Sequence, residues 1–175
     1  DPLDERTKVG AIISHDHLGK ILGYLENAEQ QGATLAEGGK STASSAGNYL
    51  APTIVSGVKP DMAIASEEVF GPVLSVLTFK TIEEALHIAN NTPYGLSAGV
   101  WSASIDTCMT VARGVRTGTV WVNTFMDGYP ELPFGGYKQS GIGRELGKRA
   151  GEDYTEEKTI QFHKGPRTSW WAASV

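Results

Sequence analysis

Two neighbouring carboxylates, Glu67 and Glu68, stand directly before Val69-Phe70-Gly71-Pro72 and the strand-like run from Val73 to Phe79. Paired acids before an aromatic, a glycine and a proline make a stiff corner that aims polar groups off the end of a strand, where open α/β sheets bind ligands. The plainer reading of the same residues is a solvated acidic turn capped by a buried Phe70. The one cysteine, Cys108, lies on a helical stretch beside Ile105, Met109, Val111 and Ala112. A reactive thiol needs an electropositive pocket or an adjacent base, and neither a histidine nor a glycine-rich elbow adjoins it, so Cys108 reads as a small packed side chain. His15 and His17 have no cysteine or paired acid at metal-ligand spacing and read as surface histidines.

A second stretch, from Pro133 to Gly147, carries five glycines behind a loop with Asn123 at its start and Phe125 within it. Glycines at that density allow close backbone approach or positive φ angles. They do not form a Gly-x-Gly-x-x-Gly run directly on a strand end, so a dinucleotide fingerprint is rejected.

The elements that must position these residues follow from periodicity. Ser14 caps a helix with Leu18, Ile21, Leu22, Leu25 and Ala28 at helical spacing, stopped by Gly32. Thr34-Leu35-Ala36 is a short strand, 38–47 an exposed small-residue loop, and Tyr49 to Val55 an extended segment that Pro52 places at a sheet edge. Beyond the acidic corner come a strand from Val73 to Phe79, a helix from Thr81 with a Thr81/Glu84 capping box, a strand from Leu96 to Trp101, a helix from about Ser104 to Val115 and a strand from Gly118 to Val122. That alternation predicts parallel pairing through right-handed crossovers, an α/β fold. Ile160 and Phe162 alternate with polar neighbours in a last strand, and Trp170-Trp171 invites burial against a partner.

The chain has 175 residues, 40% of them apolar and 20% charged, with a net charge of -5. Basic residues are scattered, so neither nucleic acid nor an anionic membrane is an expected partner. One cysteine excludes an internal disulfide framework, and no apolar run approaches a membrane span; a reducing, cytoplasmic setting is expected. The start at Asp1 lacks an initiator methionine or signal peptide and implies a piece of a longer chain.

Four motifs in order carry a family resemblance: Glu67-Glu68-Val69-Phe70-Gly71-Pro72, Asn91-Thr92-Pro93-Tyr94-Gly95-Leu96, Gly118-Thr119-Val120-Trp121-Val122-Asn123, and Pro133-Phe134-Gly135-Gly136-Tyr137-Lys138-Gln139-Ser140-Gly141-Ile142-Gly143-Arg144-Glu145. On them the chain resembles the carboxy-terminal part of the aldehyde dehydrogenase superfamily, and Pro130-Glu131-Leu132-Pro133 is most similar to betaine-aldehyde and amino-aldehyde members. The resemblance implies part of a parallel-sheet catalytic domain over 1–147, with a strand and tail for subunit assembly over 148–175. It also implies oxidation of an aldehyde to an acid with NAD or NADP: a thiolate attacks the carbonyl, hydride leaves to the nicotinamide, and a glutamate base activates water. The matching cysteine and base are not in this chain, which alone should have no turnover.

Residue by residue, the resemblance implies that Glu68 accepts from the nicotinamide-side ribose hydroxyls and that Phe70 packs against that end of the cofactor, against the alternatives of a surface acid and a core ring. Phe125 and Phe134 would line the aldehyde tunnel and suit a cationic aldehyde through cation–π attraction, or many aldehydes as plain apolar walls. Glu145 matches a charge-relay glutamate, or is a salt-bridged acid at a helix start. Arg144 is structural. Backbone oxygens near Lys138 and Gly141 would bind potassium. A homodimer or homotetramer is implied for the full enzyme. Two other readings remain open: a stand-alone binding or assembly domain without the chemistry, and an unrelated thiol enzyme built on Cys108.

Overall fold

The computed structural model describes residues 3–41 and 47–165. Its first helix, α1 (His15–Gln30), begins where Ser14, in extended conformation, accepts the His17 backbone N–H at its hydroxyl, satisfying one of the free donors of the first turn. Leu18, Ile21, Leu25 and Ala28 are its buried stripe. Gly32 ends it at φ 94°, and the Ala33 N–H closes back onto the Ala28 carbonyl at 2.9 Å, a left-handed helix end that glycine adopts without steric cost.

That stripe packs on a three-stranded sheet of β1 (Thr34–Glu37), β2 (Thr53–Ser56) and β3 (Val73–Ser75). The order is β1-β2-β3, with β1 antiparallel and β3 parallel to β2. β2 is therefore central, contrary to the edge position expected from Pro52. The proline sits one residue outside the ladder, where its missing N–H removes no sheet bond, and the Thr53 N–H that follows bonds the Pro72 carbonyl at 2.8 Å. Leu25, Ala28, Ala33, Val55, Val58, Met62 and Ile64 form the main core, and Leu18, Ile21 and Leu50 a smaller one beside it. The strand expected to run to Phe79 ends at Ser75. The Val76 N–H still reaches the Val55 carbonyl, but β2 turns away at Gly57, φ 68°, leaving the rest of the run no neighbour to pair with.

The other elements are α2 (Ala63–Ser66), α3 (Ile82–Asn90), β4 (Tyr94–Gly95), β5 (Ser97–Val100), α4 (Ile105–Gly114), β6 (Thr119–Val122), β7 (Tyr137–Lys138) and a 3-10 turn over Lys148–Tyr154. β5 and β6 pair in parallel across α4, as the alternation predicts. β4 and β7 pair antiparallel, a contact that two-residue strands gave no periodicity to reveal. Among the described residues the parallel arrangement is thus split into separate small sheets rather than one continuous sheet. At α3 the capping box is offset. Thr81 accepts the Glu84 N–H at 3.2 Å, but Glu84 turns back to the N–H of Lys80 rather than that of Thr81.

Residues 156–164 form no strand, and Ile160 and Phe162 are 69% and 95% exposed. A strand needs a neighbour for its backbone donors and acceptors, and among the described residues no strand pairs with this segment. Trp170-Trp171 lie outside the described residues. The chain exposes 13647 Å², against about 8,300 Å² for a folded monomer of its 18.7 kDa by the usual area scaling. Much apolar surface, including Leu74, Phe79, Trp101 and Ile105, stands uncovered in the isolated chain.

Candidate functional site

The acidic corner is built by α2 below and α1 beside it. The Glu67 N–H bonds the Ala63 carbonyl and ends α2. On α1, Tyr24 donates its hydroxyl to Glu67 Oε2 at 2.6 Å. That bond to the carboxylate, with some desolvation behind it, pushes the Tyr24 hydroxyl above its ordinary pKa of 10.0. Because the folded value is the higher one, the bond's contribution to stability is complete below pH 10 and is lost as pH rises through the raised value. Alkaline denaturation should therefore show Tyr24→Phe less stable than the parent at pH 8 and the two converging above the Tyr24 titration; a gap that persists at high pH would contradict this.

Phe70 departs from the buried ring considered above. It is 77% exposed and sits at φ 55°, a left-handed conformation that costs a residue with a Cβ on the order of 1–2 kcal/mol. His17 holds it there. Its Nε2 lies 2.8 Å from the Phe70 carbonyl, and since a carbonyl only accepts, Nε2 carries the hydrogen. The two rings also meet edge to face, with centroids 6.4 Å apart. His17 is accordingly half-buried and engaged, not a surface histidine, and the signal for it was long-range. Glu68, between the two pinned residues, is exposed, and among the described residues its carboxylate has no hydrogen-bond or ion-pair partner.

One cleft adjoins this corner and a second lies beyond it. The first, of about 540 Å³, is lined by Glu67, Glu68, Tyr94, Ser97, Thr117 and Gln139, among others. The second, of about 830 Å³, gathers Phe134, Gly141, Arg144, Glu145, Asp153 and Tyr154. They share Leu96 and Ser140, and the Ser140 hydroxyl accepts the Gly95 N–H at 2.9 Å. Phe134 and Glu145 are brought together by a two-way backbone bridge, with both N···O distances 2.7 Å. Glu145 is exposed and its side chain is unpaired among the described residues; it neither starts a helix nor forms the salt bridge of the plainer reading. Arg144 does the holding in this loop: it donates to the Gly136 and Gly143 carbonyls and lies over the Tyr137 ring.

Phe70, Phe125 and Lys138 line neither cleft. Phe125 is 60% exposed and meets Trp121 edge to face at 5.2 Å. The Lys138 ammonium donates to the Asn90 and Thr92 carbonyls at 3.1 Å each, satisfying acceptors at the end of α3 with the charge that end favours. Asn123, at φ 55°, is clasped by Ser102 through both of its amide atoms. An asparagine just past a strand end was the visible signal for that turn, since it tolerates the left-handed region. Cys108 is 1% exposed on α4, its Sγ 3.7 Å from the Ser102 carbonyl, so a nucleophile at this position has no access to substrate. Among the described residues no cluster of His, Cys, Asp or Glu is placed to hold a metal ion, and no helix is long and apolar enough to cross a membrane.

An α/β body that pins an open carboxylate and an exposed aromatic on one corner, with a glycine-rich loop carrying a second acid elsewhere, offers groups on which a ligand could be held. Comparison supplies the family. The aldehyde dehydrogenase family profile matches residues 1–160, and the chain belongs to that family. It is 45% identical to the betaine aldehyde dehydrogenase of Bacillus subtilis over 168 residues, 94% of this chain and 34% of that protein. Its structure superimposes on that of an NAD-dependent aldehyde dehydrogenase from Sinorhizobium meliloti with a TM-score of 0.91 at 49% identity, covering 98% of this chain and 34% of that one. An indole-3-acetaldehyde dehydrogenase of P. syringae in complex with NAD+ matches with a TM-score of 0.85, also at 49% identity, over 89% of this chain and 32% of that one. The chain spans about a third of the length of these relatives.

Proposed function

We propose that this chain is the carboxy-terminal part of an NAD-dependent aldehyde dehydrogenase, with 1–147 belonging to the catalytic domain and 148–175 to subunit assembly in a dimer or tetramer. The observation that carries it is Glu68. A carboxylate with all its acceptor sites unclaimed, between two residues locked from α1, fits the vicinal hydroxyls of a ribose, and the exposed Phe70 ring fits the flat face beyond it. When bound, the cofactor supplies the hydride acceptor. The chain's own share is to accept the ribose hydroxyls at Glu68, to exclude water at Phe70, and to wall the aldehyde channel with Phe125 and Phe134. Glu145, unpaired beside Phe134, would pass a proton at its carboxylate. The attacking thiolate and the base for water come from outside these 175 residues. Potassium enters the proposal only as an ion on the Lys138 and Gly141 carbonyls; two oxygens cannot replace its hydration shell alone, and no step depends on it. The reducing cytoplasmic setting rests on the single cysteine.

The proposed substrate is betaine aldehyde or an amino aldehyde. Its support is the Bacillus subtilis relative together with aromatic Phe125 and Phe134, whose negative ring faces attract a trimethylammonium group by about 0.5–2 kcal/mol. The full-length enzyme should therefore lose about 2- to 30-fold in kcat/KM for betaine aldehyde on Phe134→Leu, while its kcat/KM for the neutral isostere 3,3-dimethylbutanal stays within about twofold. Equal losses on both aldehydes would reduce the aromatic wall to plain apolar packing. The second reading, a stand-alone binding or assembly domain, would be favoured if the gene's full product formed no NADH with any aldehyde.

A further inference from the structure

We propose that His17 and Tyr24 are positioning residues for the cofactor contact, acting through the acidic corner from one face of α1. This rests on the reading of Glu68 and Phe70 given above and deepens it. Three residues of α1, spaced i, i+4 and i+7, fall on one helix face: His17, Ile21 and Tyr24. Each meets a different part of the corner. Tyr24 bonds the Glu67 carboxylate. Ile21 fills the space above Gly71, where an added Cβ would stand 2.6 Å from Ile21 Cδ1. His17 bonds the Phe70 carbonyl and braces its ring.

The stripe therefore grips the residues on both sides of Glu68 and leaves Glu68 itself unbonded. A left-handed phenylalanine with an exposed ring persists only where its surroundings over-determine it, and His17 is the polar contact that fixes its peptide. The same grip explains why the corner's two carboxylates are unequal: Glu67 is committed to Tyr24, while Glu68 remains open to a ligand. An α1 stripe serving only to dock the helix would need apolar contacts such as Ile21, not two hydrogen bonds aimed at the residues that flank one free acid.

The test uses the full-length enzyme with NAD and a saturating aldehyde. His17→Phe keeps a ring and removes the donor; Tyr24→Phe removes only the hydroxyl; His17→Gln restores an N–H donor of similar reach. The expected result is a 3- to 10-fold rise in KM for NAD for each phenylalanine variant, unchanged KM for the aldehyde, and partial recovery in His17→Gln. The readout that a merely structural role would not move is coupling to Glu68. In a Glu68→Gln background Tyr24→Phe should raise KM for NAD less than twofold, because it acts through a contact already lost, and His17→Phe should keep only the part of its effect that acts through Phe70. Equal effects in both backgrounds, or a rise in the aldehyde KM alone, would overturn the proposal. If Glu68→Gln alone leaves KM for NAD unchanged, the cofactor reading itself has failed; if Glu68→Gln raises it and the α1 variants do not, only the positioning roles have.

Discussion

Glu68→Gln in the full-length enzyme is expected to raise the KM for NAD about 10- to 100-fold and to leave the melting temperature where it was. The magnitude follows from what the carboxylate would do. A hydrogen bond to a charged acceptor contributes about 1.5–3 kcal/mol, more than a neutral one, and the amide keeps a single acceptor oxygen while adding a donor that faces hydroxyl oxygens. The absence of a stability effect follows from the geometry. Glu68 is exposed and has no intramolecular partner among the described residues, so the exchange removes nothing the fold uses, and such surface changes stay within about 0.5 kcal/mol. The two readouts together are discriminating. A fall in melting temperature with unchanged KM would mean that Glu68 holds the corner rather than a ligand, and the proposed function would lose its carrying observation. Initial-rate kinetics at varied NAD, with a thermal melt of the same preparation, decide it.

What the sequence made legible was set by range. Features carried by local signals or by the regular periodicity and alternation of elements were readable: Ser14 as a helix cap, the apolar stripe Leu18, Ile21, Leu25 and Ala28, the parallel pair of β5 and β6 across α4, and the packed Cys108. The four motifs marked the family, which the match over 1–160 bears out. Features set by residues far apart were not readable. Nothing near His17 indicates that its partner lies 53 positions on, nothing near Lys138 that its ammonium would return to Asn90 and Thr92, and two-residue strands carry no period from which to read β4 and β7. Two departures have local causes. Pro52 lies one residue before the strand rather than within it, and the last strand expected at Ile160 and Phe162, whose expected partner is another subunit, is not formed in the single chain, because a strand forms only where another offers its edge.

Gly118→Ala tests whether the glycine-rich loop is positioned by backbone contact, and it is expected to destabilise the protein by about 1–3 kcal/mol. Gly118 is not at positive φ, so torsion does not require glycine there; space does. Its N–H bonds the Gly95 carbonyl at 3.1 Å, and an added Cβ would run into the carbonyl of Gly135. The obstructing atom is backbone, which cannot rotate away as a side chain would, so the two segments must separate. Gly135 follows Phe134, and Phe134 is bridged to Glu145, so separation also moves the proposed aldehyde wall and the proposed relay acid. The variant should therefore lose kcat/KM for the aldehyde, about tenfold or more given the sensitivity of catalysis to displacements near 1 Å, while losing less in KM for NAD, whose proposed contacts sit on the separate corner at Glu68 and Phe70. Gly128→Ala is the control. It has open space around its Cβ position and ordinary φ, and the change there should be neutral or stabilising by up to about 1 kcal/mol. Chemical denaturation of the three proteins side by side, with kinetics on each, separates the outcomes. Gly118→Ala matching Gly128→Ala in stability would show that the loop yields freely, and the placement of Phe134 and Glu145 by close backbone packing would have to be abandoned.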